Sequence, residues 1–89
     1  MSNELEDWRK QIDSIDEKIL NLLAKRMNIS GKIGKFKKEK NVSLLDKKRL
    51  EEILTSNVKT GEKLGLSKDL IKNLLHLIHK YSLEIQKKA

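Results

Sequence analysis

The apolar residues of the first forty positions fall on one line. Leu5, Trp8, Ile12, Ile15, Ile19, Leu22, Ile29, Ile33 and Phe36 recur at alternating intervals of three and four, and Arg26 fills the place between Leu22 and Ile29 where a hydrophobe is due. That spacing is a single apolar seam on a long helix. Asn3 with Glu6 offers a capping box at its start, so the pattern predicts a helix over roughly 4–40. At 1.5 Å per residue such a helix is about 55 Å long, against about 26 Å for the breadth of a compact domain of this size. The rest of the chain is too short to cover it. A second copy pairing along the seam is the natural cover, most simply in a two-fold dimer. A cation in the middle of that seam is costly to bury unpaired, so Arg26 needs a compensating partner.

The remainder of the chain agrees with an all-α reading. It has 89 residues, no proline, four glycines and three aromatics (Trp8, Phe36 and Tyr81), which suits one domain over 1–89 built of uninterrupted helices. Asn41-Val42-Ser43 breaks the first pattern. A second helix follows over roughly 46–63, capped by Ser43 or Asp46, with Leu50, Ile53, Leu54, Asn57 and Val58 on its inner face. Gly61 or Gly65 ends it, and Gly65-Leu66 has the form of a left-handed stop. Ser67 then caps a third helix over roughly 68–87, with Asp69 in its first turn and Ile71, Leu74, Leu75 and Ile78 facing inward. The expected fold is three helices, the first very long, paired with a second copy in a two-fold dimer.

Composition excludes several kinds of chemistry. There is no cysteine, hence no disulfide, no thiolate nucleophile and no cysteine-based zinc site. His76 and His79 lie three apart with no acid at ligand spacing, so no metal site is expected. Ser14, Ser30, Ser43 and Ser56 lack the His and Asp company of a nucleophile. Gly31 and Gly34 sit inside a helical pattern and read as close-packing positions, and Trp8 reads as core. No run approaches the roughly 20 apolar residues of a membrane span, and Met1-Ser2-Asn3-Glu4 lacks the order of a secretory leader; a soluble, cytoplasmic protein is expected. The net charge of +7 would suit an anionic partner. Its lysine runs have no interleaved aromatics, so they read as a solvated helix surface and nucleic acid is not expected.

What remains is a set of polar residues on otherwise apolar lines. Ser82 and Gln86 continue the face of Ile71, Leu75 and Ile78, which means either that the face has reached solvent or that the bundle encloses a polar pocket. Lys37, beside Ile33 and Phe36, and Arg9, beside Trp8, pose the same choice. Together Arg9, Arg26, Lys37, Arg49, Ser82 and Gln86 are cations and neutral donors, with Asp46 the acid among them. Such a set binds a small di-anion through arginine. It also serves a reaction that needs positioning and charge stabilisation without nucleophile, metal or cofactor.

In order and interval these residues resemble the all-helical (AroQ-type) chorismate mutase family over nearly the whole chain. The pattern is Arg9-x-x-Ile12-Asp13-x-x-Asp16-x-x-Ile19-x-x-Leu22-Leu23-Ala24-x-Arg26, then Ile33-Gly34-x-x-Lys37, Asp46-x-x-Arg49 and Ser82-x-x-x-Gln86. The resemblance implies an intertwined dimer with shared active sites, no cofactor, and the Claisen rearrangement of chorismate to prephenate on the way to phenylalanine and tyrosine. It assigns Arg9 to a substrate carboxylate in the partner's site, and Arg26 and Ser82 to carboxylates within the same chain's site. Lys37 and Gln86 would donate to the ether oxygen, and Asp46 and Arg49 would line the ring side. One position departs: the family's usual glutamate after the arginine of Asp-x-x-Arg is Leu50 here. Glu51 is turned about 100° away and should not replace it. The related isochorismate-pyruvate lyases, which make salicylate on this fold and can lack that glutamate, are therefore an alternative. A non-catalytic, anion-binding or regulatory helical dimer is another.

Overall fold

The structure is a computed structural model and describes residues 3–43 and 46–89. It contains three α-helices: α1, Glu4–Glu39; α2, Lys47–Lys63; and α3, Lys68–Lys88. No strand occurs among the described residues. Each boundary lies within a residue of the expected one. α3 is the middle element, packing against α1 on one side and α2 on the other, while α1 and α2 do not pack on each other. The molecule measures 62 × 25 × 14 Å. Its smallest dimension is little more than the roughly 10–12 Å diameter of one helix, so the three helices form a single layer.

Local chemistry accounts for most of the ends. α1 stops at Asn41, whose φ of 58° is left-handed; Val42 N donates to Lys37 O at 2.8 Å and Asn41 N to Lys38 O at 3.3 Å. That is a Schellman stop with asparagine in the glycine position. Asp46, and not Ser43, caps α2, its Oδ1 accepting from Arg49 N at 2.9 Å. Gly65 ends α2 at φ 82°, with Leu66 N donating to Gly61 O at 2.9 Å, whereas Gly61 is buried within the helix. Ser67 caps α3 by accepting from Leu70 N at 3.1 Å. The expected capping box at Asn3 does not form. Asn3 has φ −102° and ψ 18° and makes no side-chain cap hydrogen bond, because it lacks the extended backbone that aims a capping side chain at the first turn.

The chain's own core is small, as the length of α1 leads one to expect, and Trp8, Leu74 and Asn57 depart from the inward placement expected of them. Val58 and Ile71 are the buried hydrophobes among the described residues, and the buried positions of α1 are Ser30 and Gly34. The whole seam from Leu5 to Phe36 lies open, from 42% exposed at Ile33 to 64% at Leu22, and Trp8, expected in the core, is 57% exposed. Leu74 is exposed on α3, and Asn57 points outward on α2 with its amide donating to Ile53 O at 2.8 Å. A seam of two apolar positions per seven residues is built for another helix, and this chain has none to offer it. The radius of gyration is 16.8 Å, against about 12 Å for a compact chain of this length. The accessible surface is 7567 Å², against roughly 5,400 Å² expected of a folded monomer of this mass.

Candidate active site

The site forms where α1 and α3 cross. Along α1 the residues Arg26, Ser30, Ile33 and Lys37 share one line at helical spacing, and along α3 His79, Ser82 and Gln86 share another. The lines meet because a glycine allows it. A Cβ on Gly34 would stand 2.5 Å from both Cα and O of Gln86, so the α3 backbone lies directly on the bare α1 backbone there. Gly31 is different, since its Cβ would make an ordinary 3.7 Å contact with Ile85. Beside the crossing, Ser30 Oγ and Ser82 Oγ are 2.5 Å apart in a hydrogen bond, only 4% and 5% exposed. Ser82 therefore faces the bundle interior, which resolves the choice between a solvent face and a polar pocket.

The crossing and the start of α2 enclose a cavity of about 240 Å³. Arg26 and Lys37 line it from α1, Ser82 and Gln86 from α3, and Asp46 and Arg49 from the mouth of α2; Ile29, Ile33, Ile53 and Leu83 supply apolar wall. Six of the seven residues expected at the site thus come together in one chain. The seventh, Arg9, does not. It lies some 26 Å from Arg26 along α1, exposed and paired at 3.4 Å with Glu6, a surface contact worth under about 1 kcal/mol. Leu50 does not line the cavity, and Glu51 is exposed away from it. Glu52 pairs with Arg49 at 3.6 Å in the open.

Arg26, Lys37 and Arg49 thus line a space whose one carboxylate, Asp46, caps α2. Among the described residues no carboxylate pairs with Arg26. Gln86 adds a second unmet demand, because its Oε1 is buried and has no hydrogen-bond partner among those residues. Such an atom costs about 1–3 kcal/mol when left unpaired, so the amide oxygen can still accept a hydrogen bond from a donor in the cavity. No group of three or more metal-ligating side chains occurs among the described residues. No helix among them is long and apolar enough to cross a membrane.

Ser30 and His79 also line the cavity, and sequence reasoning had set both aside. The signal was available for each: Ser30 is one turn beyond Arg26, and His79 is one turn before Ser82, on lines already noted as polar. Burial pushes the His79 imidazolium below its ordinary range, and the charges of Arg26, His76 and Lys37 push it further in the same direction.

Fold and site together define an all-helical protein with a pocket lined by cations and neutral polar side chains between its helices. The chain belongs to the chorismate mutase type II family, whose pattern it matches over residues 8–87. It is 37% identical over 87 residues to the bifunctional chorismate mutase/prephenate dehydratase of Buchnera aphidicola subsp. Acyrthosiphon pisum, a match covering 98% of this chain and 23% of that protein. It is 35% identical over 82 residues to the T-protein of Enterobacter agglomerans, covering 92% and 22%. The chain thus spans less than a quarter of the length of these curated relatives. In three dimensions it resembles a conserved hypothetical protein from Pyrococcus furiosus, with a TM-score of 0.77, 35% identity, and coverage of 97% and 99% of the two chains.

Proposed function

We propose that this chain catalyses the rearrangement of chorismate to prephenate, as a two-fold dimer with each active site shared between two chains. The observation that carries the reading is the cavity itself, in which Arg26 and Lys37 of α1, Arg49 of α2 and the neutral side chains of Ser82 and Gln86 on α3 line one space. The reaction is intramolecular. One carbon–oxygen bond breaks, one carbon–carbon bond forms, and no proton or electron leaves the substrate. Catalysis therefore reduces to holding the compact conformer and stabilising the ether oxygen as it gains negative charge. Arg26 takes one carboxylate, with Ser82 beside it. Lys37 and the Gln86 amide donate to the ether oxygen, and Asp46 and Arg49 flank the ring. Gln86 is neutral at every ordinary pH, so this donor works without a protonation step.

Arg9 enters through the dimer. Two antiparallel seams that overlap from Leu5 to Phe36 place residue 9 of one chain level with residue 32 of the other. That is between Arg26 and Lys37 of the cavity. The same pairing covers the open seam and closes the cavity with a fourth cation. Obligate dimers commonly bury about 2,000–5,000 Å² counted over both partners, a range that includes twice this chain's surplus surface.

Purified protein is incubated with chorismate and, separately, with isochorismate. Prephenate from the first is expected. Salicylate from the second alone would assign the lyase, the reading favoured by Leu50, and neither product would leave an anion-binding dimer. Mixing the inactive Arg9→Ala and Arg26→Ala variants should restore about one quarter of wild-type activity, because half the re-paired dimers carry one intact site. No restoration after verified subunit exchange would sink the shared site.

A further inference from the structure

We infer that His79 is a substrate-contacting residue, a titratable member of the carboxylate-binding wall that takes up a proton as the dianion binds. This rests on the proposed function for the identity of the ligand. The placement is geometric. His79 lines the same cavity as Arg26, Lys37 and Arg49, and it precedes Ser82 and Gln86 by three and seven residues on one face of α3. His76, three residues earlier on the same helix, lies outside the cavity and exposed.

The charged and titratable groups around the imidazole set the sign of the coupling. α1 presents Arg26 and Lys37, the first turn of α2 presents Arg49 and Asp46, and α3 itself carries His76. Before a ligand enters, burial and the cations Arg26 and Lys37 disfavour a further positive charge, so the imidazole is neutral near pH 7. Two substrate carboxylates reverse that balance. An opposite charge within about 4–6 Å favours the charged form, and the carboxylates neutralise the cations that had opposed it. In the window between the depressed value of the free protein and the raised value of the complex, dianion affinity therefore increases as pH falls. The bound imidazolium then adds a donor to the site's arginine and lysine.

The ring protons of His79 and His76 are followed by NMR from pH 5 to 8, free and with saturating prephenate, the dianionic product. Assignment comes from the spectrum of His79→Leu. His79 is expected to titrate at higher pH in the complex. Calorimetry in two buffers of different ionisation enthalpy should show net proton uptake on binding within that window. In kinetics, KM for chorismate should fall between pH 7.5 and 5.5 in the wild type and lose that slope in His79→Leu; a merely structural role would lower activity at every pH and leave the slope alone. If prephenate binds and His79 titrates as in the free protein, or if His79→Leu keeps the wild-type slope, the inference is overturned while the site assignment stands. If prephenate does not bind at all, the functional reading fails and this one with it.

Discussion

Replacing Gly34 with alanine tests the crossing on which the site depends. The new methyl would lie 2.5 Å from Cα and O of Gln86 and 2.9 Å from its carbonyl carbon. Carbon contacts are comfortable at about 3.5–4.0 Å, and all three atoms are backbone, so no side chain can swing aside. α3 must retreat from α1 by about 1 Å, carrying Gln86 with it. Overpacking of this kind costs about 1–3 kcal/mol, while alanine in a helix interior regains up to about 1 kcal/mol over glycine. Net destabilisation should thus be modest, about 0–2 kcal/mol. Turnover should suffer far more, because a displacement of about 1 Å at a catalytic group can cost about a hundredfold. The assay pairs urea unfolding at a fixed protomer concentration with kcat/KM for chorismate. Gly31→Ala is the control, since its methyl meets only Ile85 at 3.7 Å and should leave activity intact while stabilising α1. A Gly34→Ala protein that folds and retains kcat/KM within a few-fold of wild type would refute the argument that this crossing positions Gln86.

Other consequences can be checked alongside it. Ser82→Ala should cost about 1–3 kcal/mol by leaving the buried Ser30 hydroxyl unpaired, and the Ser30→Ala/Ser82→Ala double variant should cost less than the sum of the two single changes; strict additivity in denaturant unfolding would contradict the pair. Gly65→Ala should lose about 1 kcal/mol from its left-handed φ of 82°, although nothing lies within 4 Å to obstruct the methyl; a neutral result would refute the strain. Charging the seam with Ile15→Glu should shift the sedimentation mass from about twice the chain mass to the 10.3 kDa of one chain, with loss of activity; an unchanged dimer would place the interface elsewhere. The free protein's stability should fall as pH drops through the His79 range. Its folded value is depressed, so below about pH 6.5 the unfolded chain binds more protons than the native one. His79→Leu should flatten that decline, and an undiminished decline would assign it to other groups.

Much of the molecule was legible in its residues because the signals are local. Helix limits follow from Asp46, Gly65 and Ser67, whose capping or left-handed geometry involves only the next few residues. The site's cations were legible because Arg26 and Lys37 interrupt a regular apolar spacing, and an interruption is visible without knowing what lies opposite. Asn3 shows the limit of the local rule: the residue type was right for a cap and the backbone angle was not.

Relations across helices were not legible. Nothing near Ser30 in sequence announces Ser82 as its hydrogen-bond partner, and nothing near Gly34 announces that the backbone of Gln86 rests on it. His79 was passed over because its value depends on Arg26 and Lys37 lying across the cavity. The seam is the clearest division between the two kinds of information. Its spacing determined that α1 is long and apolar on one narrow stripe, since intervals of three and four are a property of one helix and its own pitch. Its length also said that the chain could not cover this stripe by itself; only the tertiary structure decided how the other two helices lie around it. α3 packs beside the seam and α2 packs beyond α3, so the single layer leaves Leu5 through Phe36 uncovered, with one arginine turned into a cavity that the same layer leaves unfinished.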